Sequence, residues 1–186
     1  MFELMHDYCS KGITGYNHSF NDCGFHYDTF NDNEGQKYYR ESINYILKDF
    51  KDGYEISEQG EILELLDSNM APLLNLAIPS GDIENINKRM DLAVTKFRRH
   101  KSTLDDRYDA LRELADVLEY IRPEIKKVLK SNDEKDIFNI ANNYAIRHHN
   151  SIQKVEYDKE IWSYWIFYYF LATIHAALRL IERIEK

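Results

Sequence analysis

Ile161-Trp162-Ser163-Tyr164-Trp165-Ile166-Phe167-Tyr168-Tyr169-Phe170-Leu171-Ala172-Thr173-Ile174-His175-Ala176-Ala177-Leu178 is the run on which the fold turns. Its 18 residues include no Asp, Glu, Lys or Arg, which reaches the usual threshold for a membrane-spanning helix. Yet Ser163, Tyr164, Tyr168, Tyr169, Thr173 and His175 all fall inside it. No basic cluster flanks just one end, so nothing sets a topology. A helix that is apolar on every side is also what the centre of a bundle looks like. The run therefore predicts a core helix from about Lys159 to the end of the sequence, with no membrane involved. Its aromatic rings, spread all round, offer more surface than one small bundle needs, so a homodimer is expected.

Working back from that helix, the second half reads as helical almost throughout. Ile86, Met90, Val94 and Phe97 mark one stripe at helical spacing. Ser102 or Thr103 caps the next helix, whose stripe is Tyr108, Leu111, Leu114, Ala115, Leu118 and Ile121. Pro123 is expected to end or kink it, with Glu124–Lys130 as a further turn or two. Ser131 with Glu134 reads as a capping box for a helix through residue 148, Ile137, Ala141 and Tyr144 facing inward. The expected fold is mainly α, a bundle of four to five helices.

The first half is less regular. Residues 1–36 are rich in Asn, Asp, Gly, His and aromatics without a sustained period, and read as irregular. Tyr39, Ile43, Ile46, Leu47 and Phe50 predict a helix from Gln36 to Lys51, closed by Gly53. Tyr54–Ser57 and Glu61–Glu64 flank Glu58-Gln59-Gly60 as a small β-hairpin. Residues 64–84 hold two of the three prolines and read as a helix fragment and a linker. The expected division is an acidic region 1–84 packed on a bundle 85–186.

Composition supports a single soluble domain. Apolar residues make up 44% and charged ones 30% of the 186 residues, enough for a core and against disorder. Seven Gly and three Pro are too few for a β-sandwich or propeller. Two Cys exclude a disulfide framework, and the acidic, polar start lacks a secretory signal, so a cytoplasmic protein is expected. The net charge of −8 is uneven: residues 1–84 carry 5 basic and 16 acidic side chains, residues 85–186 carry 19 and 16. A phosphate-bearing partner would meet the second half, where Lys96-Phe97-Arg98-Arg99-His100-Lys101 is the densest basic run.

Three constellations could carry chemistry. In Asn139-Ile140-Ala141-Asn142-Asn143-Tyr144-Ala145-Ile146-Arg147-His148-His149-Asn150, helical spacing aligns Asn139, Asn143 and Arg147. His148 and His149 fall at the helix end, where the dipole favours imidazolium. Two imidazoles as base and acid, with a guanidinium on the phosphate, suit RNA cleavage without a metal or other cofactor. Asn143 would assist, while Asn139, Asn150, Arg98, Arg99 and Lys101 would bind substrate. A weaker zinc alternative is His6-x2-Cys9 with Cys23-x2-His26, two thiolates and two imidazoles. The acids Asp105, Asp106, Asp109, Glu113 and Asp116 read as an ion-paired surface, and no Glu-x-x-His lies among them to support a di-iron bundle. Neither a Gly-rich phosphate loop nor a Gly-x-Ser-x-Gly elbow is present.

Asn142-Asn143-Tyr144-Ala145-Ile146-Arg147-His148-His149-Asn150 resembles the HEPN superfamily, and in particular its bacterial abortive-infection and toxin–antitoxin branches. Leu111–Glu119 and Trp162–His175 extend the resemblance over about residues 85–186, and Gly53–Ile62 resembles a narrower subgroup. The resemblance implies a helical bundle that dimerises, bringing two Arg-polar-x(3–5)-His motifs into one cleft where RNA is cut without metal. Arg147 takes the motif arginine and His148 the polar position. Where the motif histidine belongs, this chain has Ile152, Gln153 and Lys154. Two expectations follow: His148 or His149 substitutes in an endoribonuclease of defence or toxin type, or the protein is an RNA binder. The alternative is a non-catalytic interaction module that holds a protein partner, such as an antitoxin, or a second copy of itself.

Overall fold

The computed structural model describes residues 1–66, 69–74, 76–129, 131–144, 146 and 157–185. They form two compact units, Met1–Leu65 and Leu66–Lys186. The boundary expected at 84/85 falls inside the second unit, because Leu66, Leu73, Leu74 and Ile78 pack on its helical core.

In the first unit, helix α1 (Phe2–Asp7) leads into strands β1 (Lys11–His18) and β2 (Gly24–Asn31). Helix α2 (Asp32–Leu47) and the short strands β3 (Tyr54–Ile56) and β4 (Ile62–Glu64) follow. The β1–β2 hairpin overturns the expectation of an irregular start. Its strands lie mostly in solvent on both faces, so burial imposes no apolar alternation on them. A register shift between Gly12 and Gly15 further breaks the period of two. Helix α2 begins four residues earlier than expected, because the Asn31 carbonyl oxygen of the side chain accepts from the Glu34 amide at 3.0 Å and caps it. The expected small hairpin is present, with Tyr54 opposite Glu64 and Ile56 opposite Ile62. Asn44 of α2 pins it by donating to the Ile56 carbonyl (3.1 Å) and accepting from the Ile56 amide (2.6 Å). Leu47, Ile56 and Leu63 form the small buried centre.

Gly35, on α2, has a steric role. A Cβ there would lie 2.3 Å from the Ser10 Cα, so only glycine lets the helix pass the start of β1.

The second unit is mainly α. A short helix α3 (Ala71–Leu74) precedes a π-helical turn, Ile83–Asn87, which runs into α4 (Lys88–Arg98). Helices α5 (Leu104–Val128), α6 (Ser131–Asn143) and α7 (Lys159–Glu185) complete it. Thr103 caps α5 in a full capping box: its hydroxyl accepts from the Asp106 amide (3.2 Å), and its own amide donates to the Asp106 carboxylate (2.9 Å). Pro123 lies inside α5, which continues to Val128 as one element. The proline removes one backbone donor, a loss that packing of Ile121 and Ile125 in the core outweighs.

Helices α4, α5 and α7 build the core. The expected stripes are buried: Met90 and Phe97 from α4, and Tyr108, Leu111, Leu114, Ala115, Leu118 and Ile121 from α5. Facing them, Ile166, Phe167, Phe170, Leu171 and Ile174 of α7 are 0–2% exposed. Phe97 stacks on Phe167 at 4.0 Å between ring centroids, and Tyr164 meets Phe97 edge-on at 5.1 Å. Helix α7 is long and apolar enough to cross a membrane by length and composition; here one side of it fills this core. Glu134 of α6 is buried, and its carboxylate accepts from the Arg122 guanidinium at 2.5 Å.

His175 is a titratable side chain among the buried residues of α7, which are otherwise aromatic and aliphatic apart from Ser163. It is 5% exposed, and its Nδ1 has no hydrogen-bond partner among the described residues. Burial lowers its pKa below the ordinary 6.5, with the charge of Arg179 adding to the effect. The unfolded state thus binds the proton more readily, so His175 supports folding above pH 6.5 and that support is lost as pH falls below it. Acidification below pH 6.5 should lower the melting temperature, and His175→Gln should flatten that part of the profile. In urea melts at neutral pH, Phe167→Ala should cost about 3–5 kcal/mol, against about 1 kcal/mol for Thr103→Ala.

Candidate functional site

The run expected to carry chemistry leaves the end of α6. Arg147, His148, His149 and Asn150 lie outside the described residues. Asn139 is exposed on α6 and Asn143, its last residue, is half-buried. What the structure does describe is how the chain is held on either side of 147–156.

On the N-terminal side, Ile146 is buried, and its carbonyl accepts from the Arg112 Nε of α5 at 3.2 Å. The same guanidinium pairs with Asp109 one turn earlier. On the C-terminal side, the Tyr157 hydroxyl donates to the Tyr144 carbonyl at 3.0 Å. That commits its single proton, so the hydrogen bond between Tyr108 and Tyr157 has Tyr108 as donor. Burial pushes both phenols above their ordinary pKa, and the contact with Tyr157 raises Tyr108 further. Both remain hydroxyls at neutral pH and act as donors. Tyr108 and Arg112 stand four apart on α5, on one side of the helix. One patch of α5 therefore holds the chain as it leaves α6 and again as it enters α7.

Aromatic rings continue from this junction along α7. Tyr144 lies 5.8 Å from Trp162, Trp162 lies 5.2 Å edge-on to Trp165, and Trp165 stacks on Tyr169 at 5.5 Å. Trp162 and Trp165 are 37% and 44% exposed.

The basic run before α5 divides. Arg98 is buried, whereas Arg99 and Lys101 are exposed, Lys101 in a left-handed turn (φ 68°). Lys96 donates to Glu113 at 3.2 Å, and Arg89 bridges Glu113 and Asp116 at 3.6 Å each. Of the five acids of α5 expected to form an ion-paired surface, Asp109, Glu113 and Asp116 make ion pairs, while Asp106 serves the Thr103 cap. Arg107 lies over the Tyr164 ring, 4.8 Å from its centroid. Arg112 stands about 12 Å along α5 from its first residue, Leu104, at 1.5 Å per residue.

A groove of about 710 Å³ elsewhere in the second unit is lined by Pro79, Ser80, Tyr120, Leu178, Glu124 and Glu182. It contains none of the residues expected to bind substrate. Its charged groups are carboxylates, which repel a phosphate backbone.

Of the four residues in the zinc alternative, the structure brings together two. Cys23 and His26 lie with His18 at the tip of the β1–β2 hairpin. His6 is buried elsewhere: its Nε2 accepts from Arg40 at 3.2 Å and its Nδ1 meets the Asp7 carboxylate at 3.3 Å. Gly60 passes directly over that imidazole, where a Cβ would lie 2.5 Å from Nδ1. Cys9 is half-buried beside Tyr39. The reading of the sequence missed His18 because its contribution depends on the strand pairing of β1 with β2. It missed the roles of Tyr108 and Tyr157 because their partners are remote in sequence.

No protein-family profile, no curated protein and no solved structure matches this chain.

If the α5 patch holds the junction, Arg112→Ala should speed amide hydrogen exchange around Tyr144 and Ile146 and cost about 1 kcal/mol. Tyr108→Phe should accelerate exchange in the same segment while leaving α4 and the first unit unchanged.

Proposed function

We propose that this is an HEPN-like protein that acts on RNA, either as a binder or as a metal-independent endoribonuclease. The observation that carries the reading is the double anchoring on α5. In sequence, the Arg147-His148-His149-Asn150 run falls between Ile146, held by Arg112, and Tyr157, held by Tyr108. Groups needed for phosphate binding and proton transfer must be pre-positioned to be effective, and a connection tied at both ends loses less entropy on ordering than a free one. The exposed Arg99 and Lys101 just ahead of α5 supply positive charge on the same half of that helix. In this reading Arg147 binds the phosphate, His148 and His149 serve as base and acid, and Asn143 and Asn150 orient the reacting groups. The defence or toxin setting follows the same resemblance.

A second reading draws on the exposed rings of α7. Trp162 and Trp165, continuous with Tyr169, form an aromatic stripe on a helix whose other side is the core. Such a stripe suits a non-catalytic module that pairs with a second copy of the chain.

The two readings separate in one set of measurements. Full-length protein is incubated with structured RNA in the presence of EDTA, beside Arg147→Ala and His148→Ala/His149→Ala. A nuclease should lose about 10²–10⁴-fold in cleavage rate in the histidine variant, and a binder should lose its RNA shift in Arg147→Ala. Cleavage that survives both variants, or wild-type protein that neither binds nor cuts RNA, overturns the RNA reading. The module reading expects a dimer by light scattering that Trp165→Glu converts to monomer with unchanged circular dichroism.

A further inference from the structure

The tip of the β1–β2 hairpin gathers three metal-ligating side chains that no part of the RNA reading uses. Antiparallel pairing sets Tyr16 opposite His26 and His18 opposite Gly24. His18 and His26 are consequently diagonal neighbours on one face of the ribbon. Their rings are 5.5 Å apart and nearly perpendicular, and Tyr16 stacks on His26 at 5.7 Å. The connection between the strands is curled by left-handed residues, Asn21 (φ 55°), Asp22 (φ 59°) and Gly24 (φ 82°). That curl turns Cys23 back toward the two imidazoles. One ligand atom from each of His18, Cys23 and His26 lies within 4.8 Å of the other two.

We propose that His18, Cys23 and His26 form a zinc site, with the fourth coordination position left to water or an external donor. One thiolate and two imidazoles are borderline-soft ligands of the kind that Zn²⁺ takes. Tetrahedral zinc at its usual bond lengths holds its ligand atoms about 3.4–3.7 Å apart. Rotamer adjustment of the exposed His18 and Cys23 side chains closes the difference.

A second observation points the same way. The Nε2 of His26 is shielded from solvent and has no hydrogen-bond partner among the described residues. Leaving a buried imidazole nitrogen unmade costs free energy, which a metal bond repays. Zinc also meets a structural need. The base of the hairpin is tied to α2 through Lys11 and Glu34 (2.7 Å) and the Gly35 contact with Ser10. A two-stranded ribbon with little buried surface is marginally stable by itself, so a clip at the tip would hold it as folded. On binding, the Cys23 thiol gives its proton to solvent and its sulfur becomes the anionic ligand.

The test uses untagged, full-length protein titrated with Co²⁺ and then with Zn²⁺. One Co²⁺ per chain should bind with a thiolate-to-cobalt charge-transfer band and the visible bands of a four-coordinate ion, and Zn²⁺ should displace it. Cys23→Ser should abolish the charge-transfer band. His18→Ala and His26→Ala should each weaken zinc binding by more than the roughly 10–100-fold that loss of an outer-shell partner costs. Cys9→Ser should bind as wild type does. All four positions lie outside the buried core, and circular dichroism of each variant checks that the fold persists. Absence of one-to-one binding, a charge-transfer band that survives Cys23→Ser, or affinity unchanged in His18→Ala overturns the proposal. So does a loss of binding in Cys9→Ser, which would return the second thiolate to the ligand set.

Discussion

The second unit depends on α7 burying one side of an almost uncharged surface against α5. Phe167, Phe170, Leu171 and Ile174 of α7 face Leu111, Leu114, Leu118 and Ile121 of α5, and Phe97 of α4 closes the packing by stacking on Phe167. At about 1.5–3 kcal/mol for each large apolar side chain removed from water, this contact dominates the favourable side of folding in the unit. It also explains why Pro123 is tolerated within α5, since the packed stripe continues on both sides of it. The Arg107 guanidinium over Tyr164 belongs to the rim of the same contact.

The polar features take their positions from that packing. Tyr108 belongs to the buried stripe of α5 and Arg112 stands beside it, so both are rigidly placed before they meet the segments that flank residues 147–156. Their hydrogen bonds to Tyr157 and to the Ile146 carbonyl are made at separations of tens of residues. The aromatic excess of α7 resolves into two populations. Phe167 and Phe170 are buried, whereas Trp162 and Trp165 remain partly in solvent as a continuous stripe.

The first unit follows another logic. It has few buried apolar residues, and its elements are joined by specific polar links: Asn31 capping α2, Asn44 gripping Ile56, and the Glu3 carboxylate accepting from the Ile62 amide at 3.0 Å. Such links have no periodic signature. This is why the period-based reading recovered α2 and the small hairpin, whose apolar positions repeat, yet read β1 and β2 as irregular. The same blindness applied to chemistry. Cys23 and His26 are close in sequence and visible as a pair, but His18 joins them only once the register of β1 against β2 is known.

By itself, the sequence determined that the chain is mainly α, that the stripes of α4 and α5 and the apolar run of α7 are core-facing, and that α5 begins just after Ser102 or Thr103. These properties rest on apolar periodicity and capping chemistry, both of which act over a few residues. Tertiary structure alone decided that residues 66–84 belong with the helices, that Pro123 lies within a continuous α5, and that His6 is enclosed by Arg40, Asp7 and Gly60 rather than gathered with Cys23 and His26. Each of those outcomes depends on a partner remote in sequence, and the free energy of such a contact exists only once the chain has brought the two together.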